Sequence, residues 1–268
     1  MATKSGTVVF DRVVCGVDAS EAGTSAAQAA AVLTAREGSL SFLAVNDPSV
    51  AVHAGWAMPQ VLEELAEETR AALDHARREA DPLHSFETKL VEGDPRICLL
   101  AEIERRDATL VVVGSHGLSR AAGIALGAVS THLLHEAPCS VLIARGGIDV
   151  ERWPRRIVVG VDGSPDSGLA LGAARELADR FDADLRAVTA TQDAHADVDA
   201  ARRLALRLEE HAGRAVDVLT TAAETSDLLV VGSRGLRGVR ALGSLSERLA
   251  HDAGHSVLVV RTRRDQAA

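Results

Sequence analysis

Short apolar runs rich in β-branched residues alternate along the chain with longer stretches in which leucine and alanine recur at helical spacing. The run Val13 to Asp18 ends in Asp-Ala-Ser and passes into the alanine-rich stretch Glu21 to Ala35, which predicts a strand and then a helix. Leu40 to Asn46 reads as a second strand, Glu63 to Ala80 as a helix, Phe86 to Val91 as a short strand after Pro82, and Pro95 to Arg106 as another amphipathic helix. Leu110 to Gly114 and Ser140 to Arg145 are apolar throughout, as expected of strands covered on both faces, with a helix at Val129 to His135 between them. Strands separated by helices pair in parallel through right-handed crossovers, so the unit is an α/β fold with an open, doubly wound sheet. Ligands of such sheets bind beyond the carboxyl ends of the strands, at the switch point.

The pattern then repeats. RVVCGVDAS (Arg12 to Ser20) returns as RIVVGVDGS (Arg156 to Ser164), LVVVGSHGLSR (Leu110 to Arg120) as LLVVGSRGLRG (Leu228 to Gly238), and APCSVLIAR (Ala137 to Arg145) as AGHSVLVVR (Ala253 to Arg261). Three matches in one order define two tandem domains, residues 8–147 and 154–263, joined by the short linker GGIDVERWP. In the second, Ser164 caps the first helix and Pro165 occupies its first turn, and Leu40 to Asn46 is matched by Ala183 to Thr191. The second domain is shorter, and its deficit falls between Gln192 and Leu228. Leu204, Leu206 and Leu208 alternate with Ala205 and Arg207, which favours a strand followed by the helix Ala215 to Ala223. The preceding helix is then reduced to a turn at Asp197 to Arg202. A helix over Asp199 to His211, with an edge strand lost instead, is the competing reading.

Composition sets limits on function. Hydrophobic residues make up 47% and charged residues 25% of 268, the balance of a soluble globular chain. A net charge of -9 argues against nucleic acid as the main partner, because phosphate backbones require a dense basic face. Cys15, Cys98 and Cys139 lie far apart without metal-ligand spacing and read as reduced thiols. MATKSGTVVF lacks the apolar core of a signal peptide, and no run reaches the ~20 residues of a membrane span. A cytoplasmic location without membrane attachment is expected.

Candidate chemistry lies at the strand ends. In the first domain Gly114-Ser-His-Gly117 is followed after nine residues by Gly127-Ala128-Val129-Ser130, just after a buried strand and at the start of a helix. Glycines let backbone approach phosphate closely, helix N-terminal amides point their positive ends at it, and Ser130 adds a hydroxyl donor. One such glycine pair alone is better explained as the turn between strand and helix. The second domain, however, repeats the types as Gly232-Ser-Arg-Gly235 and Gly243-Ser244-Leu245-Ser246. The first strands end in Asp18 and Asp162, each followed two residues later by the better capping candidate, Ser20 or Ser164, which leaves the aspartate for a ligand. His116 and Arg234 share a loop position and either contact phosphate or face water. His132 and His135 lie one helical turn apart but lack a third metal ligand. There is no Walker A, dinucleotide fingerprint or nucleophile elbow.

Taken in order, G-x2-G-x9-G-[ST], the first-strand V-D-x-S and the closing A-P-C-S-V-L resemble the universal stress protein family over nearly the whole chain, twice. The resemblance implies two Rossmann-like, adenine nucleotide alpha hydrolase-like sheets of strand order 3-2-1-4-5, the second lacking most of one helix. It implies an ATP-binding, nucleotide-responsive regulatory module of the stress response, with ATP, accompanied or not by Mg²⁺, as ligand and with an unidentified protein partner. By position Asp18 and Val45 flank adenine, while Val113, Gly114, Gly117, Gly127, Val129 and Ser130 line ribose and phosphates. The resemblance further implies edge-to-edge pairing of the two domains through their last strands, and is compatible with a homodimer. Two departures stand out. Ala128 replaces the family's hydroxyl residue in the first domain, and seven residues rather than nine separate Gly235 from Gly243 in the second. No clamp of lysine, arginine and metal ligands suited to phosphoryl transfer is evident, so a binding role is expected over an enzymatic one. A slow ATPase and a nucleotide-independent interaction protein are the alternatives.

Overall fold

The computed structural model describes residues 10–49, 59–79, 85–117, 126–193, 196–205, 207–233 and 244–261. The chain divides into two compact units near residue 150; Cys139–Leu142 cluster with the second, although by the repeat they close the first.

The first unit runs β1 (Arg12–Gly16), α1 (Glu21–Leu33), β2 (Ser39–Asn46), α2 (Pro59–Glu79), β3 (Ser85–Glu92), α3 (Pro95–Arg106), β4 (Leu110–Gly114), α4 (Ala128–Glu136) and β5 (Ser140–Ala144). Its strand order is β3-β2-β1-β4-β5. Pairing is parallel, with Val13 opposite both Leu40 and Leu110. Val13, Val14 and Cys15 are buried on both faces of the sheet, which explains the unbroken apolar run. Burial in this apolar centre pushes the Cys15 thiol far above its ordinary range, with the Asp18 carboxylate adding to the effect, so the group is an inert core residue.

Helix α1 is made of alanines because it lies close on the sheet. Six of them, from Ala22 to Ala31, are buried. At the end of β4 a Cβ on Gly114 would stand 2.7 Å from the Ala22 carbonyl, so only glycine permits that approach. Ser20 caps the helix by accepting from the Gly23 N–H at 3.0 Å. On the opposite side, Asp94 caps α3, and Glu102 of the same helix is almost wholly buried (2% exposed). The Glu102 carboxylate accepts from Arg105, Arg106 and, at 3.0 Å, from Lys89 of β3. The Arg105 guanidinium first, then Arg106 and Lys89, hold it well below the usual carboxylate range against the opposing effect of burial.

The second unit runs β6 (Arg156–Gly160), α5 (Pro165–Phe181), β7 (Asp184–Ala190), α6 (Val198–Leu204), β8 (Leu208–His211), α7 (Ala215–Ala223), β9 (Leu228–Gly232), α8 (Ser244–Asp252) and β10 (Ser256–Val260). Its order, β8-β7-β6-β9-β10, is that of the first unit. Ser164 caps α5 and Pro165 opens it. The shortened crossover differs from the sequence expectation. Helix α6 is a true helix of seven residues rather than a turn, and it includes Leu204, where a strand was expected. The edge strand is kept, but it starts at Leu208 and ends at His211. Ala201 and Ala205, four apart and buried, put the helical face against the unit and override the period-two leucines.

Among the described residues no helix is long and apolar enough to cross a membrane, and no three His, Cys, Asp or Glu side chains are placed to share a metal ion.

Candidate functional site

In the first unit β1 and β4 lie side by side while their following helices leave in different directions, so their carboxyl ends open a crevice. A cavity of about 440 Å³ fills it. Asp18 and Val45 line it from β1 and β2, Val113 and Gly114 from β4, His116 and Gly117 from the loop beyond, and Gly127, Ala128, Val129 and Ser130 from the start of α4. The first-domain positions that the resemblance assigns to the nucleotide, with His116 and Ala128, therefore surround one space, whereas His132 and His135 do not line it. Its far wall was not legible: Leu65, Glu68 and Thr69 come from α2, Pro95 and Leu99 from α3, and Leu43, Asn46 and Asp47 from β2 and its end. The spacing of Leu65 and Thr69 marks one face of a helix, but nothing local says what that face meets.

The hydrogen bonds change the roles expected of two of these groups. Ser130 does not offer its hydroxyl to the cavity, because Oγ donates to the Gly114 carbonyl at 2.6 Å and ties the start of α4 to the end of β4. The Gly127 N–H is likewise taken, donating to the Ser115 carbonyl at 2.7 Å. What faces the cavity is the first turn of α4. Its N-cap, Gly127, has no side-chain cap, and among the described residues the N–H groups of Ala128, Val129 and Ser130 have no acceptor. Three converging amides at a helix start form an anion cradle, and Ala128 costs it no backbone donor.

Asp18 is not wholly free either. Its Oδ1 accepts from the Ser20 N–H at 3.1 Å and from Ser20 Oγ at 2.5 Å, closing the turn into α1. Its Oδ2 lies along Gly117, where an added Cβ would stand 2.6 Å away. Ser115 Oγ lies 2.9 Å from His116 Nδ1 and orients that imidazole on the cavity wall. The charged side chains on the described wall are the carboxylates of Asp18, Asp47 and Glu68; no lysine or arginine lines it.

In the second unit Asp162, Gly232, Leu245 and Ser246 again share a cavity, but its volume is about 40 Å³. Ser246 Oγ donates to the Gly232 carbonyl at 2.9 Å, repeating the tie made by Ser130. Ser244 opens α8. Gly235 and Gly243 lie outside the described residues.

Comparison with known proteins follows the same division. The sequence model described as the Universal stress protein family matches residues 10–145, 154–216 and 191–261. A universal stress protein of Mycolicibacterium smegmatis is 30% identical over 285 residues, covering 94% of this chain and 97% of that one. A universal stress protein of Mycobacterium tuberculosis is 34% identical over 185 residues, 58% of this chain and 62% of its own length. The crystal structure of a universal stress protein from Archaeoglobus fulgidus superposes with a TM-score of 0.73 at 20% identity, covering 97% of this chain and 99% of that one, a likeness of fold.

Proposed function

This chain belongs to the universal stress protein family, and on that premise we propose that it is a nucleotide-responsive binding module whose first domain, residues 8–147, holds an adenine nucleotide, ATP in the first instance. One observation carries the reading: a cavity of about 440 Å³ with apolar side walls ends on three unpartnered amides at the start of α4. That volume lies within the range of small-molecule and cofactor pockets, and the amides suit a phosphate. The cavity fits the ligand; the space of about 40 Å³ in the second domain does not.

Residues Val17, Leu43, Val45 and Leu99 give the base apolar walls, and the N–H groups of Ala128, Val129 and Ser130 receive phosphate oxygens. With Asp18, Asp47 and Glu68 on the wall, a bare triphosphate meets like charge, so the Mg²⁺-bound form is the favoured one. Binding rather than turnover is the role: the described wall offers no cationic side chain to stabilise a phosphoryl group in transfer. Occupancy of the cavity shifts the population that a protein partner reads in the cytoplasm under stress.

Isothermal titration of the purified chain with ATP tests this. One equivalent per chain is expected, bound more weakly in EDTA than in Mg²⁺. Absence of both heat and a thermal shift at millimolar ATP would leave a nucleotide-independent interaction protein.

A further inference from the structure

We propose that the corresponding site of the second domain is filled by the chain's own helix α6, whose amino end sits over the carboxyl ends of β6 and β7, so that the chain carries a single exchangeable nucleotide site. The inference rests on the nucleotide reading above for what is excluded, and on the geometry of α6 for how.

The difference starts in crossover length. The connection from β2 to β3 spans residues 47–84 and contains a helix of 21 residues, whereas that from β7 to β8 spans 191–207 with a helix of seven. A helix of 21 residues is ~30 Å long and can lie along the whole sheet face with only its side chains at the crevice. Seven residues reach ~10 Å, and the short chain is drawn across the strand ends to get back to β8.

Contact there is backbone to backbone. The Asp197 N–H donates to the Asp162 carbonyl at 2.9 Å. The Asp197 side chain accepts from the Ala200 N–H at 2.9 Å, so the turn making this bond is itself capped. Beneath it lies Gly163, with φ +83°, where a Cβ would stand 2.5 Å from the Asp197 carbonyl oxygen and 2.8 Å from the Ala200 Cβ. The repeat makes Gly163 the counterpart of Ala19, and Ala19 lines the open cavity of the first domain. Glycine is required at 163 on two counts, its φ of +83° and the approach of Asp197 and Ala200, whereas Ala19 at the same turn of the first domain takes no positive φ.

What remains has room for a few waters, at ~10–15 Å³ each, and none for a purine. Its wall carries three carboxylates, Asp162, Asp166 and Asp193, as many as the open cavity of the first domain, so it is size rather than charge that excludes the ligand.

Hydrogen exchange over residues 196–205, with ATP titration alongside, decides the matter. The wild-type segment is expected to be protected, unaffected by saturating ATP, and at least about tenfold faster to exchange in Gly163→Ala, with one ATP per chain. Asp197→Pro is the second variant: it removes both the N–H donor and the carboxylate that caps the turn, and the same acceleration is expected. Two ATP equivalents per chain, slowing of the segment by ATP, or unchanged protection in either folded variant overturns the proposal. If the wild type binds no ATP at all, the nucleotide reading fails, while exchange in the two variants still reports on the closure.

Discussion

The two units have the same strand order, the same glycine at the end of the fourth strand and the same serine hydroxyl tied to that glycine's carbonyl, yet one encloses about 440 Å³ and the other about 40 Å³. The shared residues therefore do not by themselves make a binding cavity. Gly114 and Gly232 let the first helix of each unit press against the fourth strand, where a Cβ would stand 2.7 Å and 2.6 Å from the nearest backbone atom. Ser130 and Ser246 fasten the next helix to the same strand. These are devices of the strand-to-helix turn. The cavity is set by the crossover on the other side of the crevice, long in the first unit and short in the second.

The sharpest way to break this contrast is Gly117→Ala. The new Cβ would press on Asp18 Oδ2, which borders the cavity and belongs to the same carboxylate that closes the turn into α1. ATP affinity is expected to fall about 100-fold, ~2.7 kcal/mol by titration calorimetry, with thermal stability nearly unchanged. Gly235→Ala, its counterpart by sequence, is expected to leave ATP affinity where it was. Equal losses from the two substitutions would mean that both units bind.

A second contrast concerns how each sheet is held at its outer strands. In the first unit Lys89, Arg105 and Arg106 converge on the buried Glu102, and Ser41 of β2 lies 3.4 Å from the same carboxylate. Glu102→Gln keeps the shape and removes the charge, and should cost about 2 kcal/mol in urea unfolding, the range for hydrogen bonds to a buried charged group. The pH dependence follows in sign. Folded Glu102 holds its proton more weakly than the unfolded chain does, so its contribution is complete above the ordinary carboxylate value near 4.3 and drains away as pH falls below it. Between about pH 5 and pH 3 the wild type should lose more stability than the variant. Parallel curves would show that Glu102 is not the group being titrated.

The legibility of these features in the sequence divides along the same line. Strands β1, β4, β6 and β9 were readable because they are apolar on both faces and recur in the second copy. Local capping was readable too, from Ser20, Ser164 and Pro165, since an N-cap and its partner amide lie within four residues. Crossover geometry was not. At Leu204 to Leu208 a period-two leucine pattern competed with the four-residue spacing of Ala201 and Ala205, and burial of the alanines decided it. The commitments of Ser130 Oγ and Asp18 Oδ1 depend on which acceptors and donors the turns bring within reach. Glu102 looked like one more acid on an amphipathic helix, because its partner Lys89 comes from an edge strand across the unit.

The smallest effect belongs to the equivalent outer pair of the second unit. Arg186 of β7 and Glu209 of β8 form a two-pronged ion pair at 2.9 Å and 2.7 Å, and the Arg186 guanidinium draws the Glu209 carboxyl below its ordinary range. The Lys89–Glu102 pair of the first unit has its anion buried on α3, whereas here both side chains are more than a third exposed (34% for Arg186 and 42% for Glu209), and water and salt screen them. Glu209→Gln should therefore cost about 0.5 kcal/mol at low ionic strength, against about 2 kcal/mol for Glu102→Gln, and the smaller cost should vanish in 1 M salt, ~3 Å screening length, while the larger persists. Urea titrations of the two variants at low and high salt measure the difference. A salt-resistant loss at Glu209 would mean that β8 is anchored through this pair, not through the parallel ladder from Ala187 opposite Leu208 to Ala190 opposite His211.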